Sequence, residues 1–143
     1  SGPLEVESNM PSLEDGKIEL PADFADIHNP GYGTHALLQG SGNEAKITNW
    51  VDPRVYLEWM FNASETGNYE VRAMLKAEGS GTLVLQHGGQ ETEFDFNPAG
   101  AAFTEKALGT IAVTETGNQL LRLRPVQEGW SPIELGTVVL VKE

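Results

Sequence analysis

Three aromatic side chains lie in stretches that glycine and proline hold open: Tyr32 in NPGYGT, Trp50 in ITNWVDP and Trp130 in QEGWSP. A flat aromatic face packs against the C–H side of a sugar ring, and planar polar groups beside it can reach the hydroxyls. Such groups stand close by: Asp52 and Arg54 flank the proline turn after Trp50, and Gln127 and Glu128 precede Trp130. Aromatics on rigid loops suit a binding surface. The same tryptophans would serve equally as plugs closing the ends of a β-structure, and Asp52 with Arg54 would equally form a local ion pair.

Other chemistries find less support. Nothing matches a G-x-S-x-G elbow, a P-loop or a dinucleotide fingerprint. With 21 Asp and Glu in the chain, no carboxylate pair stands out as a glycosidase acid and base. The absence of cysteine removes thiolate metal sites, disulfides and thiol nucleophiles. His28, His35 and His87, even with Asp23 and Asp26 nearby, lack the short fixed spacing of a transition-metal set. Glu19, Asp23 and Asp26 could supply oxygens to a structural calcium, and no other cofactor is suggested. The expectation is a protein that is not an enzyme.

Composition narrows the partners. The 143 residues carry a formal charge of −12, a field that repels nucleic acid, heparin-like chains and anionic membranes. Among glycans it favours neutral over sulfated or uronate-rich ones. No run of ten apolar residues occurs, so no helical span is expected. Residues 1–16 are acidic and polar with two prolines and read as a leader or linker, leaving 17–143 as one module. The opening Ser1-Gly2-Pro3 reads as that of an excised module whose targeting signal lies elsewhere.

The elements that must position these residues are strands. KIEL and DFADIH alternate apolar and polar residues, and a glycine-rich loop, NPGYGTHALLQGSGNEA, follows. In VYLEWMF, alternation puts Val55, Leu57, Trp59 and Phe61 on a buried face, so Trp59 belongs to the core while Trp50 falls outside the strand, on a loop. After the turn SETGN, YEVRAMLKA alternates again, and the two segments read as an antiparallel hairpin. GTLVLQHGGQETEFDF is a second hairpin about a Gly-Gly turn. FTEKALGTIAV, NQLLRLRP and SPIELGTVVLV complete about eight to ten strands. Leu121 and Leu123 face inward there, while Arg122 and Arg124 face outward to balance an acidic neighbouring sheet. No segment carries a sustained helical period. Strands at this spacing predict an all-β antiparallel sandwich of two sheets, a jelly roll.

Taken in order, IELPADFADIH, ITNWVDPRVYLEWMFNASETGNYEVRA, LGTIAVTETGNQLLRLRP and IELGTVVLV resemble the β-sandwich modules of carbohydrate-binding families 6 and 35. The likeness is greatest to versions appended to bacterial α-L-fucosidases, sulfatases and related polysaccharide-degrading enzymes. Its most specific part is Trp50, the Asp52-Pro53 turn, Tyr56 to Trp59, and Gly67 to Val71. The resemblance implies a non-catalytic module, secreted or periplasmic, covalently linked to a catalytic domain and binding an oligo- or polysaccharide. The residues carried into that expectation are Tyr32, Trp50, Asp52, Arg54, Gln127, Glu128 and Trp130. Where family 6 modules place a sugar-binding asparagine near the last strand, this chain has Glu128, Ser131 and Glu134. The alternative is an accessory sandwich that packs on a neighbouring hydrolase or sulfatase domain without a soluble ligand.

Overall fold

The computed structural model describes residues 10–98 and 102–143. Eleven strands form: β1 (Lys17–Leu20), β2 (Asp26–His28), β3 (Leu37–Gln39), β4 (Lys46–Trp50), β5 (Tyr56–Ala63), β6 (Gly67–Ala77), β7 (Gly81–His87), β8 (Gln90–Phe96), β9 (Thr104–Val113), β10 (Gly117–Pro125) and β11 (Ile133–Lys142). The only helical pieces among the described residues are two single 3-10 turns, Ala22–Phe24 and Gly42–Glu44. No helix is long and apolar enough to cross a membrane.

The strands make two antiparallel sheets. One runs β3-β4-β11-β6-β9, with β1 also paired to β11; the other runs β2-β5-β10-β7-β8. This is the two-sheet sandwich that the strand spacing predicts. Every strand with alternating apolar residues turns that side to its opposite sheet. Leu57, Trp59, Phe61, Leu121 and Leu123 from one sheet therefore meet Ile47, Tyr69, Val71, Leu135 and Leu140 from the other in one core. Burial of each large side chain contributes about 1.5–3 kcal/mol, which is what holds the layers together.

Two sequence expectations are corrected. β5 and β6 do not form a hairpin, because β5 pairs with β2 and β10 while β6 pairs with β9 and β11. The intervening turn carries the chain from one sheet to the other, so the two inner faces look at each other across the core. The Gly-rich segment after β2 is also not wholly loop, since β3 and a 3-10 turn lie within it. β3 is a three-residue edge strand exposed along its length, and so shows no inside-outside alternation to read.

The hairpin β7–β8 forms in the expected register, His87 opposite Gln90. Gly88 and Gly89 both have positive φ, 55° and 82°, as a two-residue turn matching strand twist requires. Residues 10–16 are tied to the sandwich. Leu13 packs on the core, Asn62 N–H donates to the Pro11 carbonyl at 2.8 Å, and Glu14 and Lys17 exchange backbone bonds. The rest of the segment read as a leader, residues 1–9, lies outside the described residues.

Candidate functional site

The loops joining β2 to β3, β4 to β5 and β10 to β11 gather at one end of the sandwich, and most of the candidate residues meet there. Asp52 is the organiser of the second loop. Its Oδ1 accepts the Arg54 backbone N–H at 2.9 Å and the Arg54 Nε–H at 3.0 Å, while Oδ2 accepts Nη2–H at 2.7 Å. Both edges of the carboxylate are used, the planar fork that an arginine presents to it.

Arg54 reaches 22 positions back in sequence. Its Nη2 also donates to the Tyr32 carbonyl at 3.1 Å, and its guanidinium carbon lies 5.2 Å from the centre of the Tyr32 ring. The approach depends on Gly33: at φ +108°, a Cβ there would fall 2.5 Å from Arg54 Nη2 and 2.7 Å from Asp52 Oδ2. The loop is braced further by Asn29, whose Oδ1 accepts the Ala36 N–H and whose Nδ2 donates to the Ala36 carbonyl. Tyr32 itself is 79% exposed. With Arg54 against one side, the ring is held yet open to solvent.

The hydrogen bonds from Arg54 hold the Asp52 carboxyl down to about 2, from its ordinary 3.8. The carboxylate in turn raises the Arg54 guanidinium above its usual value. Because the folded value is depressed, this pairing is complete above the ordinary carboxylate range and is lost as pH falls toward 2. Titration of the Asp52 carboxyl carbon by NMR should show a midpoint near 2, rising toward the ordinary range in Arg54→Met, where only the backbone N–H of residue 54 still donates to it.

On its other side Arg54 lines a groove of about 280 Å³ with Tyr56, Arg124, Val126 and Gln127. Alternation places Tyr56 and Arg124 on an outer strand face but does not by itself join them to the site. The strand period sets both on one face, and their meeting with Arg54 and Gln127 belongs to the folded groove. Tyr56 is fixed by His28, stacked at 4.4 Å, and by the Arg122 guanidinium 4.9 Å from its ring. Arg122 and Arg124 do not reach across to the other sheet. They pair with Glu58 and Glu91, on the neighbouring strand β5 and on β8 of their own sheet. Glu128 is exposed beside Gln127 but does not line the groove.

Trp50 requires a correction. It is the last residue of β4, not a loop residue, and is completely buried. The cause is a β-bulge: Ile133 pairs with Trp50 and Leu135 with Ile47, so β4 advances three residues while β11 advances two. Asn49 absorbs the extra residue at φ +57°, its Nδ2 donating to the His35 carbonyl at 3.0 Å. The side-chain order flips, and the Trp50 ring turns into the core with its Nε1–H on the Val55 carbonyl at 3.2 Å. A ring with no exposed face has nothing to offer a ligand.

Trp130 sits over it, half-buried. Its Nε1–H donates to the Trp50 carbonyl at 3.3 Å, and its ring lies 5.6 Å from that of Trp50 and edge-on to Phe96 at 5.4 Å. The two tryptophans, their rings tilted 51° to each other, thus form two layers of one plug behind the loops. Trp59 lies in the core, as alternation predicts, its Nε1–H on the Pro21 carbonyl at 3.1 Å. Of the carboxylates considered for calcium, Asp23 accepts the Gly42 N–H at 2.9 Å. No group of three or more His, Cys, Asp or Glu side chains among the described residues is arranged to hold a metal ion.

A family model described as a domain of unknown function, DUF5077, matches residues 25–140. The chain belongs to that family. The matched span of this DUF5077 chain includes the loops bearing Tyr32, Asp52, Arg54, Gln127 and Trp130. No curated protein matches it. Among solved structures it is similar to a family 35 carbohydrate-binding module from Clostridium thermocellum, with TM-score 0.70 and 18% identity over 89% of this chain and 98% of that one. It is also similar to the C-terminal family 6 module of LamC, a laminarinase of Zobellia galactanivorans, with TM-score 0.66 and 10% identity over 88% and 99%. The Podospora anserina GH26-CBM35 β-(1,4)-mannanase gives TM-score 0.68 and 17% identity over 91% of this chain, which spans only 28% of the mannanase. At these identities the likeness is one of fold.

Proposed function

We propose that this DUF5077 chain is a non-catalytic carbohydrate-binding module whose ligand packs on Tyr32 and spreads into the groove between Arg54 and Gln127. The observation that carries the reading is the Tyr32 ring itself. It is aromatic, 79% exposed and fixed by a guanidinium that a carboxylate fixes in turn. An ordered aromatic face loses little entropy when a sugar lands on it. Arg54 and Gln127 supply planar donors and an acceptor for hydroxyls within the same groove. Two similar solved structures that this chain matches over nearly their whole length are named as carbohydrate-binding modules.

In this reading the sandwich of residues 17–143 works in a secreted or periplasmic protein, linked to a catalytic domain that degrades polysaccharide. Its role is to hold that domain near its substrate. Single shallow sites of this size bind weakly, with Kd of about 10 μM to 1 mM. Affinity electrophoresis across a broad polysaccharide panel should show retardation with at least one glycan. Tyr32→Ala should weaken it about tenfold, the loss of one stacking contact of about 1.4 kcal/mol, without changing the unfolding midpoint. No retardation with any polysaccharide would sink the proposal.

One observation favours the accessory-sandwich reading. Met60 and Leu120 are paired across β5 and β10 on the outer sheet face and are 44% and 42% exposed. They would suit the edge of an interdomain contact, though two side chains fall well short of an interface area.

A further inference from the structure

The −12 charge argues against anionic ligands only as an average over the surface. Three of the chain's four arginines, Arg54, Arg122 and Arg124, gather around Tyr56 on one sheet face. The groove beside them differs in kind from four other clefts among the described residues. Each of those includes a carboxylate in its lining: Glu78 and Glu134 with Lys76, Glu91 with Arg122, Glu44 with Lys46, and Glu14 and Glu19 with Lys17. Among the described residues, the groove at Arg54 and Arg124 is lined by two guanidinium groups and by no carboxylate.

The two arginines are not equivalent. Arg54 is committed, with Nε and Nη2 on Asp52 and Nη2 also on the Tyr32 carbonyl. Arg124 faces Glu91 at 3.6 Å, beyond hydrogen-bond distance, and the Glu91 side chain is 53% exposed. That contact is a weak one in water. At physiological salt, exposed charges farther than about 8 Å are largely screened, so an anion seated in the groove responds to the guanidinium it touches more than to the distant surface.

We propose that Arg124 receives an anionic group, a carboxylate or a sulfate ester, carried by the saccharide that packs on Tyr32, with Gln127 bonding a neighbouring hydroxyl. The inference rests on the proposed glycan reading and gives that site its substrate class, against the expectation of a neutral ligand drawn from net charge. Arg124 is then the specificity-determining residue, and Arg54 a positioning one that sets the Tyr32 ring.

The test is calorimetric titration of the full chain with three oligosaccharides of equal length: one neutral, one an oligouronate and one sulfated. At least one anionic arm should bind about fivefold or more tighter than the neutral one, as a charge-assisted hydrogen bond in a half-exposed groove would give. The arm that does so tells carboxylate from sulfate. Arg124→Met should erase the preference, Arg124→Lys should keep part of it, and Arg72→Met, on the other sheet, should leave it intact. Circular dichroism melts of all three variants report folding. Equal affinity for all three ligands, or a preference that survives in Arg124→Met, overturns the inference. If the neutral arm binds and depends on Tyr32 without any anion preference, the glycan reading stands and the inference alone fails. Failure of all three arms brings down both.

Discussion

Trp50→Ala is expected to lower the free energy of unfolding by about 4 kcal/mol, read from a urea titration at constant m-value. The ring is wholly buried, donates to the Val55 carbonyl, and supports Trp130 from beneath. Its removal leaves a cavity at the closed end of the sandwich, deprives a buried carbonyl of its donor, and loosens the second layer of the plug. The β4 bulge resists collapse into the space, because Asn49 is fixed on the His35 carbonyl. Trp50→Phe should cost about half as much, since it keeps most of the apolar volume and loses the hydrogen bond. A binding loss in Trp50→Ala would therefore report unfolding of the loop platform, and only Trp50→Phe is informative about a ligand role.

The second expected result is a loss of about 2 kcal/mol in Glu58→Ala. Glu58 lies in the middle of β5 on the outer sheet face, with its side chain only 13% exposed. Its Oε2 receives Arg122 at 2.8 and 2.6 Å, and its Oε1 lies 2.9 Å from His28 Nε2. The cost falls short of the roughly 3–5 kcal/mol of a fully buried pair, because the Arg122 side chain is 41% exposed and can turn to water. Glu58→Ala with Arg122→Met should recover part of the loss in a double-mutant cycle, and an additive outcome would show that the two groups do not couple. Since Arg122 and His28 flank Tyr56, the same variant should broaden the Tyr56 ring signals in NMR.

How far the amino-acid sequence discloses each feature depends on how local its cause is. Trp59 is legible because strict alternation along VYLEWMF fixes its face. The β7–β8 hairpin is legible because two adjacent glycines demand one kind of turn. Trp50 is not, because its direction is set by an extra residue in β4 relative to β11, and pairing between strands more than eighty residues apart leaves no mark in the segment itself. The expected β5–β6 hairpin fails for a related reason. A short polar turn between two alternating segments looks the same whether the chain stays in its sheet or crosses to the opposite one. Asp52 and Arg54 are legible as a local pair, whereas the reach of Arg54 to Tyr32 belongs to the folded loops.

The bulge in β4 also carries a lesson in descent. One residue, Asn49, taken up as a bulge, lets Ile47 and the indole three positions on face the same interior. Loss of a single codon there would restore the regular two-for-two pairing and leave the indole two positions after Ile47, still opposite Ile133 and still inside, whereas the same length of strand paired without the bulge would turn it outward. Among relatives of this chain, a strand one residue shorter at that point would therefore hold the sandwich shut with the same tryptophan, so the extra residue can come and go in evolution without a substitution at the indole.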